Sequence, residues 1–302
     1  MTGPLLSVTV DIEDWYHIPS VTGSPFSTFR TVDEFFRHWK GRYDYLTAPT
    51  LQVLDLLDDH EITATFFIVA DVAERYSGLI QAIVERGHEI ACHGLHHACC
   101  IDPETKLPLT IEAVFEERTR AAKAILEQHI PGTISGYRAP SAFVAGWMVD
   151  ALDKLGFLYD SSVSANSLYN KTDSNLAGVG TSPYFPVRGS LVPGGNRGIA
   201  EFPFPIWEVA GLRVPAGGGP ILRFLGSGVV LRGLRQSLAR GHTLFYFHPL
   251  DIAREDFPAI GRKRPFYWMV KGERVERRIR KILKEVRDVP TATLGEVRRG
   301  MA

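Results

Sequence analysis

The sequence predicts an α/β fold in which helices flank one parallel sheet that closes into a barrel with insertions. Apolar, strand-like runs alternate with segments of helical periodicity, a pattern typical of parallel sheets covered by helices. Polar residues follow several of these runs, as expected where parallel strands present a site at their carboxyl ends. A chain of 302 residues with 45% hydrophobic side chains suits one such barrel.

The first half of the chain supplies three strands and their helices. A strand ends at the acidic cluster 11–14, residues 15–49 are predicted as a long loop with a short helix, and 51–57 as a helix. The run 62–69 is predicted as a buried strand. Asp71 and Glu74 resemble a capping box that opens a helix ending at Gly87. A strand over 90–92 and a helix over 110–128 follow.

The second half continues the alternation after one interruption. Strands near 136–140 and 157–160 enclose a helix near 146–155. Residues 165–220, rich in Gly, Pro and Asn, are an insertion with a strand at 201–204. This insertion either reaches over the barrel mouth to grip substrate or is a plain connector. A helix over 221–240 and a strand over 243–247 follow, and His248 comes directly after this strand.

His93 and His97 follow the apolar run 90–92 directly. Four residues apart, they are expected on one face of a helical turn, where both can point at one metal ion. The cluster Asp11, Glu13 and Asp14 offers the anionic third ligand. An HxxxH pattern alone is common in ordinary helices, and acidic residues after strands often cap helices. Their joint occurrence after two strands favours a metal-assisted hydrolase.

Composition excludes several classes of protein. The 34 basic and 34 acidic side chains cancel, so no overall field attracts nucleic acid. Cys92, Cys99 and Cys100 crowd into nine residues, which is a poor disulfide framework and favours a reducing compartment. A structural zinc site is disfavoured because adjacent Cys99 and Cys100 diverge. No run suits a leader or a membrane helix, so we expect a cytoplasmic protein.

Six motifs in order resemble those of the NodB-type polysaccharide deacetylases, carbohydrate esterase family 4. They are Thr-Val-Asp-Ile-Glu-Asp-Trp-Tyr-His at 9–17, Ala-Thr-Phe-Phe at 64–67, Gly-His-Glu-Ile-Ala-Cys-His-Gly-Leu-His-His at 87–97, Gly-Tyr-Arg-Ala-Pro-Ser at 136–141, Tyr-Asp-Ser-Ser at 159–162 and Phe-His-Pro-Leu-Asp at 247–251. The chain is most similar to a subgroup with an Asp-x-Glu-Asp motif, associated with exopolysaccharide assembly. That subgroup shares an insertion like 201–219 and a basic segment like 262–299.

The resemblance implies a distorted (β/α)7 barrel, a divalent metal held by one carboxylate and two histidines, and hydrolysis of the N-acetyl group of an amino sugar. Asp11 then resembles the base that takes a proton from water, and Arg138 pairs with it and fixes its direction. His248 resembles the acid that protonates the leaving amine, with Asp160 keeping it protonated.

Two residues, Glu13 and Asp14, are candidates for the third metal ligand. Relatives carry two adjacent aspartates, the base and then the ligand, whereas here Ile12 and Glu13 stand between Asp11 and Asp14. Strand alternation favours Glu13, but the shorter Asp14 resembles the usual ligand and is preferred. His17 and His96 are expected as outer partners only. The ion is predicted to be zinc, with cobalt, nickel and manganese as alternatives.

Three functions are weighed. The first is a sugar N-deacetylase, the second a deformylase or other amide hydrolase on the same barrel, and the third a glycan-binding relative without activity. The third is disfavoured because the base, the ligands, the arginine and the acid are all present. A cytoplasmic enzyme is expected to meet nucleotide-linked, lipid-linked or early oligosaccharide substrates.

The predicted units are a barrel over 1–260 and a basic amphipathic helical segment over 261–302. Apolar residues recur at helical spacing in this segment between seven basic ones, Lys271, Arg274, Arg277, Arg278, Arg280, Lys281 and Lys284. The segment is either a helix with a solvated basic face that packs on the barrel or a peripheral docking site at the inner membrane face for anionic membrane or a pyrophosphate-linked lipid carrier.

Overall fold

A computed structural model describes residues 3–260 and 269–301. The strands of the described residues are β1 (Leu6–Ile12), β2 (Thr65–Ile68), β3 (Glu89–Cys92), β4 (Gly136–Tyr137), β5 (Tyr159–Asp160), β6 (Ala200–Glu201), β7 (Ile206–Val209), β8 (Leu212–Pro215) and β9 (Thr243–Phe247). Seven of them form one sheet in the order β6-β5-β4-β3-β2-β1-β9, and every neighbouring pair is parallel. The sheet curls into a half-barrel, which confirms the predicted α/β barrel of seven strands.

The helices of the described residues follow the strands and cover the sheet. They are α1 (Val32–His38), α2 (Thr47–Asp58), α3 (Ala70–Arg75), α4 (Ser77–Glu85), α5 (Glu112–Glu127), α6 (Gly146–Lys154), α7 (Gly219–Leu225), α8 (Ser227–Leu238), α9 (Pro249–Ile252), α10 (Glu273–Glu285) and α11 (Leu294–Arg299). Short 3-10 turns occur at Trp15–His17 and Pro140–Ala142. β1 is buried along its whole length, as expected for a central strand covered on both faces.

Three local features differ from what the sequence predicts. Asp71 does not cap α3, whose N-cap Val69 makes no side-chain hydrogen bond, because the Asp71 carboxylate turns inward to His17. The helix over 221–240 is two helices, since Gly226 adopts a φ of 82° between α7 and α8. The sequence does not predict the hairpin of β7 and β8, because its turn contains Ala210 with a φ of 49°. Turns of this kind usually have Asn, Asp or Gly at such a position.

The helix α10 of the basic segment has a buried apolar side. Val275, Ile279 and Ile282 of α10 are fully buried. Arg278 is not part of a free basic face, because its Nη1 donates to the carbonyl oxygens of Leu222 at 2.8 Å and Arg223 at 2.6 Å. Arg262 and the rest of 261–268 lie outside the described residues.

Among the helices of the described residues, none has both the length and the apolar character needed to span a bilayer. The carboxyl ends of β1, β3, β4 and β9 meet at one edge of the sheet, and the residues that follow these strands build the site.

Candidate active site

A cavity of about 320 Å³ opens at the carboxyl edge of the sheet, within the roughly 300–1,000 Å³ range of small-molecule sites. It is lined by most of the residues that the motifs single out: Asp11, Glu13, His93, His97, Arg138 and His248. Asp14 and Asp160 are not among the lining residues. The fold therefore gathers six of the eight predicted site residues in one place.

Glu13, His93 and His97 form a compact cluster of potential ligands. One ligand atom from each lies within 4.8 Å of the other two, and Nε2 of His97 lies 2.6 Å from Oε2 of Glu13. Burial alone would raise the pKa of Glu13, but the imidazoles of His97 and His248 hold it well below its usual range. Burial lowers the pKa of His93 to about 4, so this imidazole is neutral at physiological pH.

The two histidines do not share a helical turn, which corrects the prediction from their spacing. The chain after β3 is a loop, and it passes through left-handed conformations at Gly94, with a φ of 80°, and His97, with a φ of 53°. These reversals, rather than an i,i+4 spacing, bring the rings together, with centroids 4.9 Å apart. A left-handed non-glycine residue is uncommon and often marks a functional position.

Both imidazoles are oriented by backbone carbonyl groups. Nδ1 of His93 donates to the carbonyl oxygen of Arg138 at 2.8 Å, and Nδ1 of His97 donates to that of His17 at 3.0 Å. A carbonyl oxygen can only accept, so Nδ1 carries a proton in each ring, and Nε2 is the nitrogen that can bind a metal ion when the ring is neutral. Histidines that bind metal are commonly held in this way.

The structure places Glu13, and not Asp14, beside the two histidines. The chain turns into a 3-10 helix at Asp14, which becomes its N-cap and accepts from the Trp15 backbone N–H at 2.8 Å. The other carboxylate oxygen accepts from the Tyr76 hydroxyl. Burial raises the pKa of Asp14 to about 8. Asp14 thus has a structural role at a helix end, away from the two histidines.

Asp11 and Arg138 form the expected pair. Nη1 of Arg138 donates to Oδ1 of Asp11 at 2.6 Å and to Oγ1 of Thr9 at 3.0 Å. Nε and Nη2 donate to the carbonyl and hydroxyl oxygens of Ser161, both at 2.9 Å. With its donors held on several sides, the guanidinium fixes the direction of the Asp11 carboxylate.

His248 also lines the cavity and is partnered by Asp251. Its Nε2 is 3.8 Å from Oδ2 of Asp11 and 3.5 Å from Oε1 of Glu13. Its Nδ1 donates to Oδ2 of Asp251 at 3.3 Å. Burial opposes protonation, but Asp251 and the other two carboxylates raise the pKa of His248 to about 9.

The expected pairing of Asp160 with His248 is therefore corrected to Asp251. Oδ1 of Asp160 accepts from the Ser162 hydroxyl at 2.7 Å, and its carboxyl is hydrogen-bonded to that of Glu201. Burial raises the pKa of both carboxyls of this pair. Asp251 stands three residues after His248 in the last motif. This spacing is typical of a capping box at a helix start, and it indicates in the sequence that the two side chains can meet.

His17 and His96 stand outside the ligand cluster, as expected. The Asp14 backbone N–H donates to Nδ1 of His17 at 3.0 Å, so Nε2–H of His17 donates to Asp71, 3.1 Å away. Nδ1 of His96 lies 3.3 Å from Asp71. The carbonyl oxygen of His17 orients the His97 ring. Asp71 in turn holds the His17 side chain in place.

Two family models match consecutive parts of the chain. The model described as polysaccharide deacetylase matches residues 42–159, and the model described as a domain of unknown function, DUF3473, matches residues 167–294. Strands β6 and β9 and the acid candidate His248 lie in the second part. The DUF3473 part therefore contributes to the same sheet and cavity as the deacetylase part.

Curated relatives match about a third of the chain. A chitooligosaccharide deacetylase of Rhizobium leguminosarum bv. phaseoli is 35% identical over 103 residues, which are 34% of this chain and 39% of the relative. A peptidoglycan deacetylase of Helicobacter pylori is 28% identical over 121 residues, 38% of this chain and 37% of the relative. The alignments thus span less than half the length of these relatives.

Solved structures match nearly the whole chain in fold. A structure from Mycobacterium smegmatis assigned to the polysaccharide deacetylases has a TM-score of 0.64 at 20% identity, covering 99% of this chain and 90% of that one. A CE4 family pseudoenzyme from Bacillus anthracis has a TM-score of 0.53 at 9% identity, covering 98% and 66%. Identities this low show the fold alone. The two family matches show that the chain joins a polysaccharide deacetylase domain of the NodB type, carbohydrate esterase family 4, to DUF3473.

Proposed function

We propose that this protein is a metal-dependent hydrolase that removes the N-acetyl group of an amino sugar in a cell-surface glycan or its precursor. One observation carries the proposal: Glu13, His93 and His97 form a ligand cluster beside the Asp11–Arg138 pair and His248. The names of the curated relatives support the substrate class, since they act on chitooligosaccharide and peptidoglycan.

The donor set suits a divalent transition-metal ion. Two imidazole Nε2 atoms with their tautomers fixed by Nδ1–H donation, and one carboxylate, are ligands that zinc, cobalt, nickel and manganese accept. We propose zinc, held by Glu13, His93 and His97. Such an ion supplies Lewis acidity, which polarises an amide carbonyl and makes bound water more acidic.

Asp11 is the proposed general base. Its Oδ1 is held by Arg138, which leaves Oδ2 facing His248 across the cavity and able to accept a proton from an attacking water. Arg138 keeps the carboxylate in one orientation during this transfer, because its other N–H groups are anchored to Thr9 and Ser161. A positioned base of this kind contributes roughly 10²–10⁴-fold to the rate.

His248 is the proposed general acid. An amide nitrogen leaves only when protonated, and His248 lies beside both carboxylates, where the leaving group of a substrate attacked from the Asp11 side would be. Asp251 keeps the imidazole charged until the C–N bond breaks, and the Arg223 guanidinium is paired with this same carboxylate.

The test is to load the purified protein with zinc, determine its metal content, and measure acetate release from N-acetylglucosamine oligosaccharides and peptidoglycan fragments. Release of acetate supports the proposal. Formate release from N-formyl sugars without acetate release would instead identify a deformylase. Binding of these glycans without release of either acid would identify a relative that has lost catalysis.

The motifs at 9–14 and 201–219 support an assignment to exopolysaccharide assembly. The thiols of Cys92, Cys99 and Cys100 are free, which supports a reducing, cytoplasmic setting. A peripheral contact with anionic membrane or a lipid-linked substrate is proposed through the exposed residues Arg274, Arg277, Lys281 and Lys284 of α10. Because the apolar side of α10 is buried on the barrel, this contact would depend on charge alone.

A further inference from the structure

Lys171 supplies an ammonium group to the wall of the cavity that contains the ligand cluster. It stands in the DUF3473 part of the chain, close to the start of that match at residue 167. Its Nζ donates to the carbonyl oxygen of Ser141 at 2.7 Å. An ammonium has three N–H donors, so this single bond to Ser141 leaves two others.

The surroundings of Lys171 are aromatic and carry no neutralising charge. Its Nζ lies 5.5 Å from the ring centroid of Phe143 and 5.2 Å from that of Tyr169. No carboxylate of the described residues forms an ion pair with Nζ. Two other cations that line the cavity are paired with carboxylates, Arg138 with Asp11 and Arg223 with Asp251. Lys271 also lines the cavity, and its Nζ donates to the backbone carbonyl oxygens of Ala253 and Glu255.

Such an ammonium is costly to keep in place without an anion. Burial lowers the pKa of Lys171 to about 8, so at neutral pH the group still carries its charge and would gain from a partner. The cavity leads from Lys171 to the histidine cluster. A ligand with an amide at the cluster can therefore place a second polar group near Lys171.

We propose that Lys171 is the anchor of an anion subsite, and that the amino-sugar substrate carries a carboxylate or phosphate group that binds there. This inference rests on the proposed function of the same cavity and narrows it to acidic saccharides. The DUF3473 part then supplies specificity in addition to the acid candidate His248.

A tethering role is the competing explanation. Ser141 and Ala142 both adopt left-handed conformations, with φ of 54° and 58°, and the bond from Lys171 could serve only to hold this strained turn. A purely tethering lysine affects the binding of neutral and charged sugars alike. An anion subsite affects the charged sugar selectively.

The experiment measures dissociation constants by calorimetry for three disaccharides of N-acetylglucosamine: the neutral sugar, a form carrying a C6 carboxylate and a form carrying a C6 phosphate. Wild-type protein should bind at least one charged form roughly tenfold or more tightly than the neutral one, the scale of a charge-assisted hydrogen bond. Which form binds more tightly identifies the anion. Lys171→Met should bring the ratio of neutral to charged dissociation constants close to one, and Lys171→Arg should retain it.

Lys123→Met is the matched control. Nζ of Lys123 also donates to a carbonyl, that of Leu155 at 3.1 Å, and lies 4.8 Å from the ring of Phe157, but Lys123 does not line the cavity. This variant should keep the wild-type ratio. Equal wild-type affinity for all three sugars, or an unchanged ratio in Lys171→Met, would overturn the proposal.

Acetate release is recorded separately on the same proteins. If no sugar is hydrolysed while the affinity ratio and its loss in Lys171→Met are both observed, the hydrolase proposal fails and the anion subsite stands. If acetate is released without any preference for charge, the reverse holds.

Discussion

Arg138 reaches from the end of β4 to Asp11 in β1, across the two strands that separate them in the sheet, and the two side chains are only 1% and 5% exposed. On the way, its guanidinium lies 4.0 Å from the ring centroid of Phe67, the residue of β2 in register with Asp11. The curl of the sheet and this aromatic support bring the arginine to a carboxylate that a flat sheet would keep out of reach.

The first prediction concerns this carboxylate. Asp11→Asn should keep its zinc, because Asp11 is not in the ligand cluster, but should lose at least roughly 10²-fold in turnover, the scale of a missing general base. Metal content and initial rates of acetate release measure the two effects. Near-normal turnover in this variant would show that another group takes the proton from water.

The second prediction separates the two candidates for the third ligand. Glu13→Gln should lose zinc, since its carboxylate is the anionic member of the cluster. Asp14→Asn should retain zinc, because asparagine also caps helices well and can still form a hydrogen bond with the Tyr76 hydroxyl. Zinc analysis after dialysis of both variants gives the answer, and loss of metal only from Asp14→Asn would restore the original preference for that residue.

The third prediction uses two adjacent histidines as a matched pair. His97→Ala should abolish zinc binding with little loss of thermal stability, because the site lies at the open edge of the sheet. His96→Ala should bind zinc normally, since His96 faces Asp71 and its side chain is 40% exposed. Full zinc content in His97→Ala would contradict the proposed ligand set.

The sheet and much of the site could be predicted from the sequence because their signals are local. Apolar runs mark β1, β2, β3 and β9, and the polar residues that end them are those found in the cavity. The Asp11–Arg138 pair depends only on which strands carry these residues. The family motifs supplied that information, and the curled sheet brings the two side chains together.

The remaining details depend on backbone geometry that the pattern does not encode. The left-handed conformation of His97 replaces the helical turn that an HxxxH spacing suggests. The Asp14 carboxylate caps a 3-10 helix. The Asp160 carboxyl is hydrogen-bonded to Glu201, a residue that the insertion brings to the sheet. Spacing along the chain cannot reveal these competing partners, whose hydrogen bonds decide where each carboxylate points.

The fourth prediction concerns pH. His248 must be protonated to act as an acid, so activity should fall on the alkaline side as this imidazole loses its proton. Burial lowers the pKa of His248 and Asp251 raises it to a net value of about 9. Removing the charge of Asp251 in Asp251→Asn should therefore shift the alkaline limb to lower pH. Rate profiles of zinc-saturated enzyme measure the shift.

Asp160→Asn serves as the comparison for this profile. Asp160 is bonded to Ser162 and Glu201 rather than to His248, so its substitution should leave the alkaline limb where it is in the wild type. If the alkaline limb of the pH–rate profile shifts in Asp160→Asn but not in Asp251→Asn, Asp160 rather than Asp251 is the carboxylate that acts on His248. A limb that survives in His248→Ala would mean that another group protonates the amine.

The fifth prediction tests the charged face of α10. Arg278 is bonded to the backbone of α7, and Arg280 is bonded to Glu276 at 3.0 Å, so substituting these two would disturb packing as well as charge. The residues to replace by Gln are the exposed ones, Arg274, Arg277, Lys281 and Lys284. Each basic residue near an anionic surface contributes about 1 kcal/mol, so the quadruple variant should bind anionic liposomes at least roughly tenfold more weakly.

The control for this variant has the same change in charge at another surface. Arg30, Arg37, Lys40 and Arg120 are exposed on other parts of the protein, and their replacement by Gln should leave liposome binding close to that of the wild type. Binding should weaken with added salt, because surface charges are screened beyond about 10 Å at 0.1 M. If both quadruple variants and the wild type sediment with liposomes to the same extent, α10 is a helix that packs on the barrel and its basic face is simply solvated.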